Sequence, residues 1–393
     1  MSALRRFVDK IKPPFEKGGK LHMFLSAFEA VETFLFVPDK VTTGRVHIRD
    51  ANDMKRSLII VVIAMVPTLL FGIWNAGFQH FQALGIEAAF WQMVWYGFLK
   101  ILPMIVVSYA VGLGIEIAFA QGRGHEVNEG YFVTGMLIPL VMPVDVPLWM
   151  VAVATVFAVV IGKEVFGGSG MNILNPALTA RAFLFFAYPS QMSGDKVWIA
   201  GMTDGTGVID GFSGSTILGQ AAGNTTNFVN GLGETFSSWD MFLGTIPGSF
   251  GETSTLAILI GAAILILTGV GSWKIILSVL AGGAAMGLIL NAFAVNEFMG
   301  LPFWQHLMLG GFAFGAVYMA TDPVSAAQTE KGKWIYGFLI GFLAILIRVL
   351  NPAYPEGVMM AILLMNVFAP LIDHYVVESN IRKRLKRAKV SAN

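Results

Sequence analysis

Apolar residues in this chain occur in long stretches that are bounded by charges, glycines or prolines. About 20 consecutive apolar residues suffice for a helix to cross a hydrocarbon core of ~30 Å. Read in this way, the pattern predicts about ten transmembrane helices, although some of the stretches are short. They lie at 57–75, 100–120, 131–143, 148–163, 176–189, 253–270, 274–294, 302–320, 333–350 and 357–376. The fold class predicted from the pattern is an all-α integral membrane protein.

The two halves of the chain share motifs in the same order. Asn175-Pro176-Ala177 opens the fifth predicted span, and Asn351-Pro352-Ala353 shortly precedes the tenth. Asparagine is a good N-cap and proline fits the first helical turn, so each motif is typical of a helix start. Upstream, the third span ends near Asp145, and the eighth is interrupted or ended near Asp322. Because each half has an odd number of crossings, we predict two inverted five-helix repeats with short or broken helices.

Positive charge is concentrated at both ends of the chain, between Arg5 and Lys20 and between Arg382 and Lys389. The positive-inside rule therefore predicts that both termini lie on the cytoplasmic side of a bacterial inner membrane. The long loop at 190–252 has Lys196 as its single Lys or Arg residue, so we expect it in the periplasm. The predicted divisions are a cytoplasmic segment at 1–56, repeats at 57–189 and 253–376, the loop at 190–252, and a basic tail at 377–393.

The segment that precedes the first span contains clustered apolar residues beside Glu29 and Glu32. This pattern predicts a partly amphipathic helix within 22–56. Two placements of that helix are open: it lies on the membrane face, or it packs on a neighbouring protein of a complex.

Composition strengthens the membrane prediction and limits the chemistry. Hydrophobic residues make up 55% of the 393 residues and charged residues 13%, against roughly 25% charged in soluble domains. The formal net charge of +1 gives no support to a nucleic-acid partner. The chain has no cysteine, which excludes disulfides, thiolate catalysis and iron–sulfur clusters held by its own thiolates alone. Any redox chemistry requires organic cofactors or a partner's metal.

Charged residues within the predicted spans are candidates for ion or cofactor contacts, because a charge at a helix centre costs roughly 2.5–3.5 kcal/mol to insert. Glu116 lies within the second span and Arg181 within the fifth, while Asp322 lies nearer a span end. The alternative for each is an ion pair that only stabilises the fold. Gly167 and Gly168 precede the fifth span, and glycines there allow the backbone to approach a ligand closely.

The loop at 190–252 contains the motif Asp210-Gly211-Phe212-Ser213-Gly214-Ser215-Thr216. It resembles the flavinylation motif Asp-x-x-Ser/Thr-Gly-Ala-Thr, in which a flavin transferase joins FMN to the last threonine by a phosphodiester bond. Ser215 stands where alanine is usual, a change from one small residue to another. Thr216 retains the acceptor hydroxyl. The alternative is an ordinary flexible turn with an unmodified threonine.

Other stretches resemble the B subunits of the sodium-translocating NADH:quinone oxidoreductases. They are the run from Gly162 to Gly170, the run from Asn175 to Pro189, and the segment from Gly124 to Gly130 that leads into Thr134 to Pro139. The resemblance covers essentially the whole chain. The long N-terminal segment helps to separate the chain from the shorter, related D subunit of the Rnf electron-transfer complex.

The resemblance implies a urea-transporter-like fold, covalent FMN on Thr216 and a second, non-covalent riboflavin among the helices. It also implies ubiquinone reduction near the N-terminal segment, coupled to Na⁺ export. The implied partners are the A, C, D, E and F subunits of a six-subunit complex, and the flavin transferase that attaches FMN. As candidate flavin contacts we assign Gly167, Gly168, Asn175 and Arg181. As candidate residues of the ion path we assign Glu116, Glu126, Glu129 and Asp322.

Two other functions remain open. One is the role of the D subunit in an Rnf-type complex, which couples ferredoxin and NAD⁺ to ion pumping with the same flavinylated fold. The other is a channel or carrier for a small solute, in which the loop threonine is unmodified.

Overall fold

The structure is a computed structural model, and it describes residues 3–16, 18–21, 24–25, 28–29, 32–33, 36, 44, 54–123, 130–203, 212–225, 227–351 and 354–390. Within these residues, six helices are long and apolar enough to cross a membrane, and three shorter apolar helices accompany them. An antiparallel bridge between Val229 and Thr235 ties the long loop together. The protein is therefore an all-α membrane protein, as the hydrophobic pattern predicts.

The described residues of the first half form a short N-terminal helix followed by five apolar helices. They are α1 (Ala3–Ile11), α2 (Met54–Ala83), α3 (Phe90–Arg123), α4 (Tyr131–Leu140), α5 (Leu148–Val160) and α6 (Pro176–Ala187). Single 3₁₀ turns follow α1 and α5, at Pro13–Phe15 and Glu164–Phe166. The long loop carries three further short helices, α7 (Pro189–Met192), α8 (Ile217–Ala222) and α9 (Ser238–Leu243).

The second half contains helices of comparable order. They are α10 (Thr255–Leu267), α11 (Trp273–Ala292), α12 (Phe303–Met308), α13 (Phe312–Phe314, continued by a π-helical turn at Gly315–Met319), α14 (Glu330–Leu350) and α15 (Val358–Val390). The last helix continues well past its apolar portion and carries the basic residues of the tail.

Helix packing follows one scheme in both halves. In the first half α3 packs against α5 and α5 against α6, and in the second half α11 packs against α14 and α14 against α15. Between the halves, α2 packs against α10 and α6 contacts α15. The fifth helices are antiparallel, because Asn175 before α6 contacts Asn366 within α15, whereas Arg181 within α6 contacts Glu356 before α15. This arrangement is the one expected of two five-helix units in opposite orientations.

Short helices place polar backbone ends inside the fold. The helices α4, α6 and α10 have 10, 12 and 13 residues, or roughly 15–20 Å at the α-helical rise, less than a bilayer core requires. The start of α6 confirms the first Asn-Pro-Ala prediction. The Asn175 side chain accepts hydrogen bonds from the N–H groups of Ala177 at 3.0 Å and Leu178 at 3.2 Å.

The second half departs from the sequence predictions at two places. Asn351 ends α14, and α15 begins only at Val358, so this asparagine does not cap the tenth helix as its counterpart caps the fifth. The prediction of one continuous span at 302–320 was wrong. Gly310 and Gly311 have φ angles of +62° and +69°, which interrupt the helix between α12 and α13.

The hydropathy pattern also underestimated the lengths of the long helices. The spans predicted at 57–75 and 100–120 correspond to α2 and α3, of 30 and 34 residues, because these helices continue beyond the apolar portion. The amphipathic stretch predicted within 22–56 falls largely outside the described residues. The domain boundaries stay predictions.

Candidate functional site

Two cavities lie at opposite ends of the short helix α6. One has a volume of about 250 Å³ and is lined by Arg181 and Phe185 from the C-terminal half of α6. The other has a volume of about 220 Å³ and is lined by Asn175 and Pro176 at the start of α6. We name the first the loop cavity, because residues of the 190–252 loop line it. We name the second the lysine cavity, after Lys163 in its wall.

Thr216 lies in the wall of the loop cavity. It is the N-cap of α8, and its Oγ1 accepts a hydrogen bond from the Gly219 N–H at 3.1 Å. Ser213 is exposed, and its Oγ accepts from the Ser215 N–H at 3.4 Å. Gly214 is buried, and a Cβ there would lie 2.6 Å from the Asp195 carbonyl oxygen, so packing requires glycine. Asp210, the first residue of the motif, lies outside the described residues.

Arg181 is the charged centre of the loop cavity. Its Nη1 donates to Glu252 Oε1 at 2.5 Å and its Nη2 to Glu356 Oε2 at 2.7 Å. The Arg181 side chain is 4% exposed, so these pairs are shielded from water. Glu252 ends the long loop and Glu356 precedes α15, so one guanidinium joins three parts of the chain. A charge pair in such surroundings fixes geometry, because breaking it leaves a buried charge without its partner.

A second buried arginine holds backbone groups of the cavity wall. Arg348, in α14, is fully buried and donates to the carbonyl oxygens of His306 at 2.6 Å, Leu309 at 2.9 Å and Glu356 at 3.1 Å. These carbonyls lie where α12 ends and where α15 is about to begin. The arginine therefore satisfies backbone groups that the broken helices leave free.

Aromatic side chains and glycines complete the loop cavity. Phe185, Trp198 and Tyr354 line it, and the rings of Phe185 and Tyr354 meet edge to face with centroids 4.5 Å apart. Gly311 has a positive φ, and a Cβ there would lie 2.7 Å from the Glu252 carboxylate. Flat apolar walls with a few fixed polar groups are typical of cofactor sites. The lining therefore has the flat apolar walls and fixed charges that suit a flat aromatic cofactor.

The lysine cavity is bounded by both halves of the chain. Thr134 from α4 and Asn175 come from the first half, while Tyr318, Thr321 and Asp322 come from the second. Asp322 accepts hydrogen bonds from Ser325 Oγ at 2.7 Å and from the Val324 N–H at 3.3 Å. The two halves thus each contribute a polar turn to the same cavity.

Lys163 pairs with Glu116 behind the wall of this cavity. Its Nζ donates to Glu116 Oε1, and the two side chains are 4% and 3% exposed. The ammonium also lies 5.9 Å from the centroid of the Tyr131 ring, within cation–π range. Among the described residues, Glu116 Oε2 has no hydrogen-bond partner. Nearby, Arg123 Nη1 donates to Glu164 Oε2 at 2.8 Å.

The sequence-predicted site residues divide between the two cavities. Thr216 and Arg181 line the loop cavity, and Asn175 and Asp322 line the lysine cavity. Gly167 and Gly168 lie in a turn with positive φ, next to Ser169 and Gly170, which line the lysine cavity. Glu126 and Glu129 lie outside the described residues.

Sequence reasoning missed Glu252 and Glu356 as site residues. Both stand just outside apolar stretches, where a hydropathy reading treats acidic residues as solvated loop. Their signal was indirect: the intramembrane Arg181 requires a buried anionic partner.

Comparisons with known proteins agree along nearly the whole chain. The model of the NQR2, RnfD, RnfE family matches residues 41–382. A protein of Chromohalobacter salexigens, named as the B subunit of a Na(+)-translocating NADH-quinone reductase, is 48% identical over 407 aligned residues, which cover 98% of this chain and 96% of that protein. Proteins with the same name from Ectopseudomonas mendocina and Azotobacter vinelandii are 48% and 46% identical, covering 98% of this chain and 99% of each relative.

Proposed function

The chain belongs to the NQR2, RnfD, RnfE family, and we propose that it is the B subunit of a sodium-translocating NADH:quinone reductase of the bacterial inner membrane. In this role it carries flavins that pass electrons to ubiquinone, and the electron flow drives Na⁺ export. The observation that carries the proposal is the position of Thr216, the last residue of the flavinylation-like motif, in the wall of a cavity centred on Arg181.

Thr216 is the proposed attachment point for FMN, through a phosphodiester to its Oγ1. Bound FMN supplies one- and two-electron redox chemistry that the side chains of this cysteine-free chain lack. Arg181, held between Glu252 and Glu356, keeps a cation at one end of the cavity. Phe185 and Tyr354 give the cavity apolar walls and limit water. The small residues Ser213 and Ser215, on either side of the buried Gly214, leave room for the flavin transferase beside Thr216.

The lysine cavity is the proposed place of a non-covalent riboflavin. This placement is supported by the position of the lysine cavity at the end of α6 opposite to the loop cavity. The 12 residues of α6 correspond to a length of roughly 18 Å. Asn175 lies in the cavity wall, and the turn containing Gly167 and Gly168 lies beside it. The backbone of this turn, with glycines at positive φ, is accessible to a flat ligand.

Ubiquinone and Na⁺ are proposed to use the side of the protein that carries both termini. Asp322 lines the lysine cavity and Glu116 pairs with Lys163 in its wall, and we propose that this cavity faces that side; Glu126 and Glu129 belong to the segment that precedes α4. Carboxylate oxygens suit a hard cation such as Na⁺. We infer that these carboxylates contribute to the ion path and that quinone binds near residues 1–56.

The complex and its orientation complete the proposal. We expect both termini in the cytoplasm and the 190–252 loop in the periplasm. The A, C, D, E and F subunits are the expected partners, one of them oxidises NADH, and a separate flavin transferase matures the chain. No nucleic acid takes part.

A second candidate is the D subunit of an Rnf-type complex, since the matching family model also covers RnfD and RnfE. The near-complete coverage of relatives named as B subunits of Na(+)-translocating NADH-quinone reductases favours the first candidate. Assay of the purified native complex separates the two: NADH-driven reduction of ubiquinone supports the first candidate, and ferredoxin-linked reduction of NAD⁺ supports the second.

Covalent flavin on Thr216 is tested by Thr216→Val, with Thr225→Val as the control in the same loop. Both variants are expressed in the native host, where the flavin transferase is present. The parent and Thr225→Val are expected to give a fluorescent band in denaturing gels and a Thr216 peptide that carries the added FMN mass. An unmodified parent peptide, together with full quinone reduction by Thr216→Val, would refute the redox function and favour a small-solute channel.

A further inference from the structure

We propose that Lys163 is a tethered cation that competes with the transported Na⁺ for the carboxylate of Glu116. The inference rests on the proposed sodium-translocating function and adds a residue that sets the apparent affinity for the ion. Lys163 acts here through Glu116, and we therefore describe it as a positioning residue.

The first observation is the incomplete pairing of Glu116. This side chain is 3% exposed, and one of its oxygens accepts from Lys163 Nζ while the other has no partner among the described residues. A buried carboxylate oxygen without a partner carries a free-energy cost. The unpaired oxygen and the oxygen now held by Lys163 are both groups that a hard cation accepts as ligands.

The second observation is the charge of the surrounding cluster. Among the described residues it contains the carboxylates of Glu116, Glu164 and Asp322, and the cations Lys163 and Arg123. With all five groups ionised, the three carboxylates and two cations sum to one negative charge in a largely buried region. A net charge in such surroundings favours uptake of one further monovalent cation.

The third observation is the position of the ammonium. Lys163 lines the lysine cavity together with Gly130, and its Nζ lies 4.0 Å from the place where a Gly130 Cβ would stand. Glu116 is behind Lys163 and is not among the residues that line this cavity. A cation that enters the cavity therefore meets the ammonium of Lys163 before the carboxylate of Glu116, whereas Asp322 lines the cavity directly.

Asp322 offers Lys163 an alternative partner. It lines the same cavity from the second half of the chain, and its charge interacts with that of Lys163. If Nζ moves from Glu116 to Asp322, the Glu116 carboxylate becomes available to Na⁺ while the lysine keeps an anionic partner. Pairing with Glu116 in one state and with Asp322 in the other links ion binding to the relative arrangement of the two halves.

The test is the Na⁺ dependence of NADH-driven quinone reduction by the intact complex carrying Lys163→Met. Removal of the competing charge is expected to lower the half-saturating Na⁺ concentration about tenfold, within the usual range for two coupled ligands. The rate at saturating Na⁺ should change less than the half-saturating concentration. Lys163→Arg should retain the parent Na⁺ dependence, because it retains the charge.

Lys331→Met is the matched control. Lys331 is exposed at the start of α14, and its substitution removes the same charge from a position outside the lysine cavity. We expect it to leave the half-saturating Na⁺ concentration unchanged. Lys163→Gln serves as a second variant that removes the charge and retains a hydrogen-bond donor for Glu116.

The inference is overturned if Lys163→Met and Lys163→Gln leave the Na⁺ dependence unchanged or weaken it while the parent complex responds to Na⁺. A parent complex that reduces quinone without any response to Na⁺ would overturn the proposed ion export and this inference with it. If Lys163→Met does not assemble, the result with Lys163→Gln decides.

Discussion

The loop cavity and the lysine cavity lie at the two ends of α6, and they differ in how their charges are paired. In the loop cavity one guanidinium, that of Arg181, is held by two carboxylates, and Arg348 holds the neighbouring backbone carbonyls. At the lysine cavity Glu116 leaves one oxygen without a partner among the described residues, and its partner Lys163 shares the cavity wall with a second carboxylate, that of Asp322.

This difference in charge pairing indicates which kind of ligand each cavity suits. A cavity whose charges are mutually fixed provides a constant environment, which suits the permanently attached redox group that we propose at Thr216. A cavity with one unpaired carboxylate oxygen and a lysine with two possible partners suits a ligand that enters and leaves. The loop cavity thus has a fixed arrangement of charges, and the lysine cavity has an adaptable one.

The largest loss of stability should come from breaking the charge pairs of the loop cavity. Arg181→Leu leaves Glu252 and Glu356 buried without their cation, and we expect a loss of about 3–5 kcal/mol in the free energy of unfolding. Denaturation of the purified chain in detergent measures this loss. Adding Glu252→Gln and Glu356→Gln should restore most of the stability, because the uncompensated charges are then gone. A single Arg181→Leu variant of parental stability would show that these pairs do not hold the cavity.

Much of this architecture follows from the sequence, because apolar stretches and helix caps are local signals. The short helix α6 and its cap Asn175 were predicted from one motif and a span that was too short. The interruption at Gly310 and Gly311 was missed, since an apolar stretch gives no sign that its glycines adopt positive φ.

The pairing of charges in the site could not be predicted from the sequence. Arg181 meets Glu252 and Glu356, which are 71 and 175 residues away along the chain. Such partners become neighbours only after the two halves pack. Thr216 was identified by its motif, but its place beside Arg181 depends on how the long loop folds back over α6.

The next largest loss of stability is expected where the walls of the loop cavity pack closely together. Gly311→Ala introduces a Cβ 2.7 Å from the Glu252 carboxylate at a positive φ, so we expect it to cost clearly more than the ~1–2 kcal/mol of the backbone strain alone. Gly269→Ala is the control, because its φ is +72° and nothing lies within 4 Å of the added Cβ. Equal losses of stability in the two variants would argue against close packing around Glu252.

A smaller effect should separate the two cavities functionally. Glu116→Gln keeps the shape of the side chain but removes the negative charge, and we expect the half-saturating Na⁺ concentration of the complex to rise about tenfold. Flavin fluorescence of the chain in denaturing gels should remain at the parental level, because Thr216 belongs to the other cavity. Loss of covalent flavin in this variant would mean that the cavities are not independent.

The smallest effect is expected at the cap of α6. Asn175→Ala removes two hydrogen bonds to backbone N–H groups, and we expect a loss of about 1 kcal/mol in the free energy of unfolding. Ser254→Ala is the matched control, since Ser254 caps α10 through the Ala257 N–H. Both variants should lose similar stability, but only Asn175→Ala should alter Na⁺ dependence. A similar change in the Na⁺ dependence of both variants would show that Asn175 has no specific role at the lysine cavity.

The central claim is that the two cavities belong to opposite faces of the membrane, and side-specific labelling of single cysteines tests it most directly. The chain has no cysteine of its own, so Leu232→Cys in the long loop and Arg387→Cys in the tail each introduce one reactive thiol. Both positions are exposed. With a membrane-impermeant maleimide, Leu232→Cys should react in intact spheroplasts and Arg387→Cys only after lysis. Reaction of both from the same side, or of Arg387→Cys alone without lysis, would contradict the account.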